Sequence, residues 1–245
     1  MKLLAIPDVH GTATWKFSAN KAVLSGDTHI VFLGDYADGY DIKATDCIFN
    51  LKQIIAFKKI YPTKVTLLLG NHDLAYVFEH SSITGYDPMF AYEYRMLFQE
   101  NWNLFDIAWG YEDKAGQYTL LTHAGLTQQH YESISWDIED ERTLLHKVLV
   151  EYGTVDWKTL PLHDLLNYLK EDDTLLWEIG RARKGDYPVG SVVWADRNEL
   201  VFDPYPGINQ IVGHTCGPGV EIVKSRGNTL YFTDNWGRLP LAIEL

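Results

Sequence analysis

Short apolar, β-branched runs that alternate with an amphipathic helical stretch assign this 245-residue chain to the α/β class. Three observations carry the assignment. The runs at 3–6, 29–33, 65–69, 118–122 and 210–212 each stop at a polar or glycine-rich cluster, as buried strands do. Between the second and third, Ile48, Leu51 and Ile55 fall at i, i+3 and i+7 within 42–60, the spacing of one helix face. A crossover of that length joins two strands in a right-handed parallel unit. With 46% hydrophobic and 22% charged residues, no repeat and no low-complexity tract, the composition is that of one globular domain, 1–245, with an elaborated insert.

Taken in order, the first run ends at Asp8-Val9-His10-Gly11 and the second at Gly34-Asp35-Tyr36-Ala37-Asp38-Gly39. The third ends at Gly70-Asn71-His72-Asp73, the fourth at His123-Ala124-Gly125 and the fifth at Gly213-His214-Thr215. Phe90, Tyr94 and Leu97, with Met89 and Phe98, form a helical packing stripe. From 126 to 189 the pattern changes: Leu144, Leu145, Val148 and Leu149 mark a helical face and 162–178 holds more helix, so this segment reads as a mostly helical insert. Strand character returns at 220–223, 230–233 and 239–245, separated by turns such as Arg226-Gly227-Asn228.

Open α/β sheets bind ligands beyond the carboxyl ends of their strands, where all five polar clusters stand. Each cluster alone is an ordinary turn. Five in this order, rich in Asp and His, point to a metal site. Oxygen and imidazole donors without thiolate suit Mn²⁺, Fe or Zn²⁺, and a carboxylate can bridge two such ions. A pair of ions roughly 3.5–4 Å apart clamps a phosphoryl group and generates hydroxide at neutral pH. The chemistry reaches a dinuclear hydrolase and leaves the assignment of ligands to ions open.

The set Asp8-x-His10, Gly34-Asp35-x-x-Asp38-Gly39, Gly70-Asn71-His72-Asp73, His123 and Gly213-His214 resembles the calcineurin-like metallophosphoesterases. Within them it looks most like the phosphoprotein phosphatase branch, which includes the lambda phage phosphatase and the symmetrical diadenosine tetraphosphatases. The resemblance implies a four-layer αββα sandwich, with the segment 126–189 as an insert within a single domain. It implies that Asp8 and His10 bind one metal, that Asp35 bridges, and that Asn71, His123 and His214 bind the second. His72 would be the general acid and Asp38 the group that holds its imidazole, with in-line attack by a metal-bridging hydroxide. The implied cofactors are two divalent transition metal ions, Mn²⁺ first, with Fe or Zn²⁺ as alternatives. The implied substrate is phosphorylated: a small molecule, a nucleotide or a phosphoprotein.

Phosphomonoester hydrolysis is the leading expectation. Gly-Asn-His-Asp-Leu at 70–74 and His-Ala-Gly-Leu at 123–126 keep a diadenosine tetraphosphatase-like activity as the alternative. A non-catalytic scaffold that keeps this fold usually loses ligands, and here every ligand position is filled.

Two departures stand out. The protein-phosphatase pattern has a phosphate-binding Arg directly after the residue matching Asp38; here Gly39 and Tyr40 follow. Arg197, in Trp194-Ala195-Asp196-Arg197, is the first candidate to replace it, ahead of Arg181 and Arg183. Second, Gly213-His214-Thr215-Cys216 lacks the second His of the phosphodiesterase members, which favours the phosphatase branch, and Cys216 reads as a small buried cysteine. Asp234 is expected in a turn or supporting a ligand.

Lys plus Arg number 21 and Asp plus Glu 33, so the net charge is 21 − 33 = −12. That repels long nucleic acids and anionic membranes. Asp8, Asp35 and Asp38 would belong instead to a centre whose two divalent cations reverse the local field. No apolar run reaches the roughly 18 residues of a membrane helix, and Pro7 and Asp8 interrupt the start too early for a signal peptide. Only Cys47 and Cys216 are present, which fits a reducing compartment; a cytoplasmic protein is expected.

Overall fold

Three of the apolar runs become neighbouring parallel strands in the computed structural model, which describes residues 2–151, 153 and 156–244. Met1, Tyr152, Thr154, Val155 and Leu245, which the expected domain, insert and last strand include, lie outside the described residues. In chain order the first elements are β1 (Lys2–Ile6), α1 (Trp15–Ser25), β2 (Thr28–Phe32), α2 (Ala44–Ile60), β3 (Val65–Leu68), α3 (Asn71–Val77), α4 (Ala91–Glu100) and β4 (Phe105–Asp106). Then come β5 (Ala108–Glu112), β6 (Tyr118–Thr122), α5 (Gln128–Glu139), α6 (Leu144–His146), α7 (Leu162–Asn167), α8 (Asp173–Leu176) and α9 (Arg197–Phe202). The chain closes with β7 (Asn209–Val212), β8 (Glu221–Ser225), β9 (Asn228–Phe232) and β10 (Leu241–Glu244). The result is mixed α/β, with two five-stranded sheets and flanking helices.

The chain divides into two compact units. The first comprises Met1–Asp106, Val212–Glu221 and Phe232–Leu245 and holds the sheet β10-β1-β2-β3-β4. β1, β2, β3 and β4 run parallel, with Leu4 opposite Ile30 and Val31 opposite Thr66, while β10 closes the edge antiparallel. β3 is buried along its whole length, as a central parallel strand is. α1 packs on β1 and β2, and α2 packs on β3. Trp15 and Asn50 tie the two helices together through Nε1–H to Oδ1, 3.1 Å. Because three parallel strands end on the same side, the loops carrying Asp8, Asp35 and Asn71 all emerge there.

The second unit, Ile107–Ile211 with Ile222–Tyr231, is built on the sheet β5-β6-β7-β9-β8. β6 and β7 pair in parallel, with Leu121 opposite Ile211, although almost ninety residues separate them in sequence. β8 and β9 are joined at Arg226-Gly227, both with positive φ (50° and 86°), the two-residue turn whose twist suits a hairpin. Within 126–189, α5 is the longest helix among the described residues; α6 has three residues and is continued by a π-helical turn over Lys147–Glu151, and α7 and α8 have six and four.

Met89 does not join the packing stripe. It precedes α4 and is exposed, whereas Tyr94 and Phe98 on α4 are buried. α1, α3, α9, β4 and β5 have no counterpart in the sequence pattern. No helix is long and apolar enough to cross a membrane among the described residues.

Candidate metal centre

The first unit assembles its site by tying three strand-end loops together. His10 N–H donates to the Asp35 carbonyl (2.6 Å) and Gly11 N–H to that of Tyr36 (3.2 Å), which fixes the β1 loop to the β2 loop. Asp73 then fixes the β2 loop to the β3 loop: its Oδ1 accepts from the Tyr36 and Ala37 N–H groups (2.8 and 3.3 Å) and its Oδ2 from that of Gly70 (2.9 Å). Asp73 is wholly buried; burial and the nearby Asp35 raise its carboxyl well above the usual range, against the pull of these three N–H donors. Asp73→Ala is expected to cost about 3 kcal/mol or more, read by chemical denaturation, because it strands buried donors in two loops. A loss under about 1 kcal/mol would show that water replaces the carboxylate.

The backbone at these loops is unusual. In the first unit, six non-glycine residues have positive φ among the described residues: His10, Asp35, Asp38, Glu79, His214 and Arg238. Four of the six are site residues expected from sequence, so left-handed backbone concentrates where side chains converge. Gly70 is required for a different reason: a Cβ there would overlap Asp35 Oδ1 and lie 2.6 Å from the Asp35 nitrogen.

Three candidate ligands, His10, Asp35 and Asp8, each have one atom anchored and another near a donor atom of a second ligand. His10 Nδ1 lies 3.0 and 3.1 Å from the carbonyls of Ala37 and Asp38, so it carries the hydrogen and leaves the lone pair on Nε2. Asp35 Oδ1 accepts from His72 N–H (3.0 Å), and Asp8 Oδ1 accepts from His214 N–H (2.9 Å). The other oxygens, Asp35 Oδ2 and Asp8 Oδ2, stand 3.6 and 3.9 Å from His10 Nε2, beyond hydrogen-bond distance. Donor atoms of His10, Asp35 and His72 lie within 4.8 Å of one another, as do those of Asp35 and His214. Burial outweighs the Asp35 carboxylate and pushes His10 down to about 4, so its imidazole is neutral, the form that binds metal. Convergent carboxylate oxygens and neutral imidazole that approach without bonding each other fit divalent transition ions.

A second arrangement adjoins the first. His72 Nδ1 lies 2.9 Å from Asp38 Oδ2, and Asp38 Oδ1 accepts a short hydrogen bond from the Tyr76 hydroxyl. Tyr76 O in turn accepts from Asp87 N–H (2.9 Å), and its ring lies between Tyr86 and Tyr94 (centroids 4.6 and 4.4 Å). Burial opposes the charged imidazole, yet Asp35, Asp38 and Asp73 prevail and push His72 up to about 9. The charged form of the His72 ring is thus favoured, and the ring is held by a carboxylate that a buried tyrosine fixes.

Of the other expected residues, Asn71 is buried and opens α3 beside His72. His123 is buried at the end of β6 in the second unit, and Arg197 is the first residue of α9 there, its Nη1 donating to Asn198 Oδ1 (3.1 Å). Asp196 caps α9, and Arg183 pairs with it (3.0 Å). Cys216 corrects the sequence reading: it is exposed, not buried, because it lies on the turn beyond His214. Desolvation and the adjacent Asp234 carboxylate push its thiol up to about 11, so it stays protonated. Tyr36 is a core residue whose hydroxyl donates to the Leu68 carbonyl (2.8 Å), while Tyr40 is exposed. Asp73, part of the motif at 70–73 but given no role there, Tyr76 and Arg238 are the site residues the sequence reading missed. The i, i+4 spacing of Tyr76 from His72 was the available signal for the second.

Carboxylates and imidazoles gathered at the ends of parallel strands, beside a protonated His–Asp pair, define a metal-dependent hydrolase. The chain belongs to the calcineurin-like phosphoesterases, whose family model matches residues 1–218. Enzymes of this family use two metal ions and act on phosphoric esters. Among solved structures, a cold-active protein-tyrosine phosphatase from a psychrophilic Shewanella species is similar with a TM-score of 0.55 at 15% identity, over 99% of this chain and 75% of that one. A mutant cold-active protein tyrosine phosphatase matches with the same TM-score at 16% identity, again over 99% and 75%. A protein serine/threonine phosphatase from Saccharomyces cerevisiae is similar at 0.47 and 14% identity, over 96% and 67%. For the two at 0.55 the likeness, at these identities, is one of fold. No curated protein matches the chain.

Proposed function

We propose that the protein is a cytoplasmic phosphomonoesterase that works with two manganese ions. The observation that carries the reading is the pairing of an inward-facing donor cluster, His10, Asp8 and Asp35, with a protonated His72 whose Nδ1 is held 2.9 Å from Asp38. By the family's pattern, Asp8 and His10 would hold one ion, Asn71, His123 and His214 the other, and Asp35 both. Bound there, the ions supply charge that neutralises the phosphoryl oxygens and acidifies water to near-neutral pKa. His72 gives its Nε2 proton to the departing oxygen, so an alcohol or phenol leaves instead of its anion. Asp38 keeps the other ring nitrogen protonated and the ring in register, and Tyr76 keeps Asp38 from rotating away.

The test is a rate comparison on an aryl phosphate, a bis-aryl phosphate, a phosphotyrosine peptide and diadenosine tetraphosphate, each with Mn²⁺, Zn²⁺ and Fe²⁺. The expected result is fastest turnover of a monoester with Mn²⁺ and its loss on chelation. Preference for diadenosine tetraphosphate would replace the reading with a nucleotide hydrolase. Fewer than one equivalent of bound transition metal with no hydrolysis of any of them would leave a scaffold.

A further inference from the structure

A phosphate group entering a metal centre still needs a fixed cation for the oxygens the metals do not take. The position after Asp38 cannot provide one. A Cβ at Gly39 would lie 2.6 Å from the His10 carbonyl oxygen, 2.9 Å from Ile42 Cβ and 3.0 Å from Cys47 Sγ, so the backbone has closed the place where a longer side chain would start. Elsewhere in the first unit one guanidinium is held against a candidate ligand. Arg238 Nη1 donates both to the Asp8 carbonyl (2.9 Å) and to Asp234 Oδ1 (3.2 Å).

We propose that Arg238 is the residue that grips the substrate's phosphoryl oxygens, and that it selects monoesters over diesters; this rests on the phosphomonoesterase reading above. Both bonds fall on Nη1. Nε and Nη2, the edge that suits two oxygens of one oxyanion, have no protein partner among the described residues. The side chain is 16% exposed, enough to meet a ligand and too little to swing freely.

Its base is equally constrained. Arg238 has φ 47°, its N–H donates to the Asn235 carbonyl (2.7 Å), and its own carbonyl accepts from Thr14 Oγ1 (3.2 Å). The Asn235 amide braces the same turn from Thr233 O (2.8 Å) and Leu239 O (3.0 Å).

A monoester carries three terminal oxygens, so two can face the guanidinium edge while one is left for the metals that would be bound. A diester has only two. Loss of Arg238 should therefore be felt on the first class and hardly on the second.

The experiment uses the Mn²⁺-loaded protein and compares Arg238→Ala, Arg238→Lys and Arg197→Ala. It measures KM and kcat on an aryl phosphate and a bis-aryl phosphate, binding of inorganic phosphate, bound metal and Tm. For Arg238→Ala, weaker phosphate binding and a lower kcat/KM on the monoester, each by about 10- to 10²-fold, are expected. Diester turnover should change less than about threefold and metal content should hold, with Arg238→Lys recovering part of the loss. Unchanged phosphate binding in Arg238→Ala would overturn the proposal. So would equal losses on both esters with loss of metal, which would make Arg238 a brace for the Asp8 loop, or an effect confined to Arg197→Ala. Phosphate binding keeps the two readings apart: a wild type that binds phosphate through Arg238 but hydrolyses no monoester would sink the functional reading, and with it the ester selectivity, and leave Arg238 as the phosphate grip.

Discussion

Replacing His72 with asparagine is expected to lower kcat by about 10²- to 10⁴-fold while leaving bound metal unchanged. The geometry separates the two roles. The side chain of His72 bonds Asp38 through Nδ1, whereas its backbone N–H is what anchors Asp35 Oδ1 at 3.0 Å, and substitution keeps the backbone group. Metal retention therefore follows from the main chain and loss of turnover from the ring. Asparagine cannot give up a proton, so the deficit should grow with the basicity of the leaving oxygen. An activated aryl phosphate, whose phenolate departs unaided, should lose least. Equal losses across a series of phenols would remove His72 from the proton-transfer step, and coincident loss of metal would make it a structural ligand.

The same separation explains which parts of the molecule were legible in sequence. Asp8, His10, Asp35, Asp38, Asn71 and His72 stood out because parallel strands end in step, so residues just beyond the apolar runs share one end of a sheet by topology alone. Residues whose role comes from tertiary return did not. Arg238 reaches Asp8 across 230 positions, and nothing local in Trp236-Gly237-Arg238 announces it. Asp73 looked like the tail of a metal motif, yet it spends both oxygens on backbone N–H groups of two loops.

Among the elements, α1 buries Trp15, Ala19, Ala22 and Val23 while exposing Phe17 and Leu24, so its apolar pattern points to both faces at once. β5 carries Gly110 and buries only Ala108, which leaves no alternation to find. Cys216 was misread because burial statistics for cysteine say little about a residue on a turn past a strand end.

Asp35→Asn should be the more damaging change, because Asp35 reaches three other residues of the first unit's site, His10, His72 and His214. Its Oδ2 faces His10 Nε2 at 3.6 Å, its Oδ1 holds the first turn of α3, and its donor atoms fall within the reach of both His72 and His214. A carboxylate so placed can serve two ions; an amide has one oxygen and no charge to share. Both ions should be lost together, and activity should fall by more than the roughly 10²-fold that follows removal of a residue merely supporting a ligand. The charge matters a second time. Asp35 is the foremost influence holding the His72 proton against burial, so its neutralisation also makes the imidazole a poorer reservoir at neutral pH. Asp35→Asn thus combines the metal defect with a shadow of the His72 defect, whereas His72→Asn shows the second alone. Metal analysis beside leaving-group kinetics on the two variants resolves this. Retention of one full equivalent of metal in Asp35→Asn would contradict the shared carboxylate. Restoration of activity by excess Mn²⁺ with an unchanged leaving-group dependence would confine Asp35 to metal affinity and free His72 from its control.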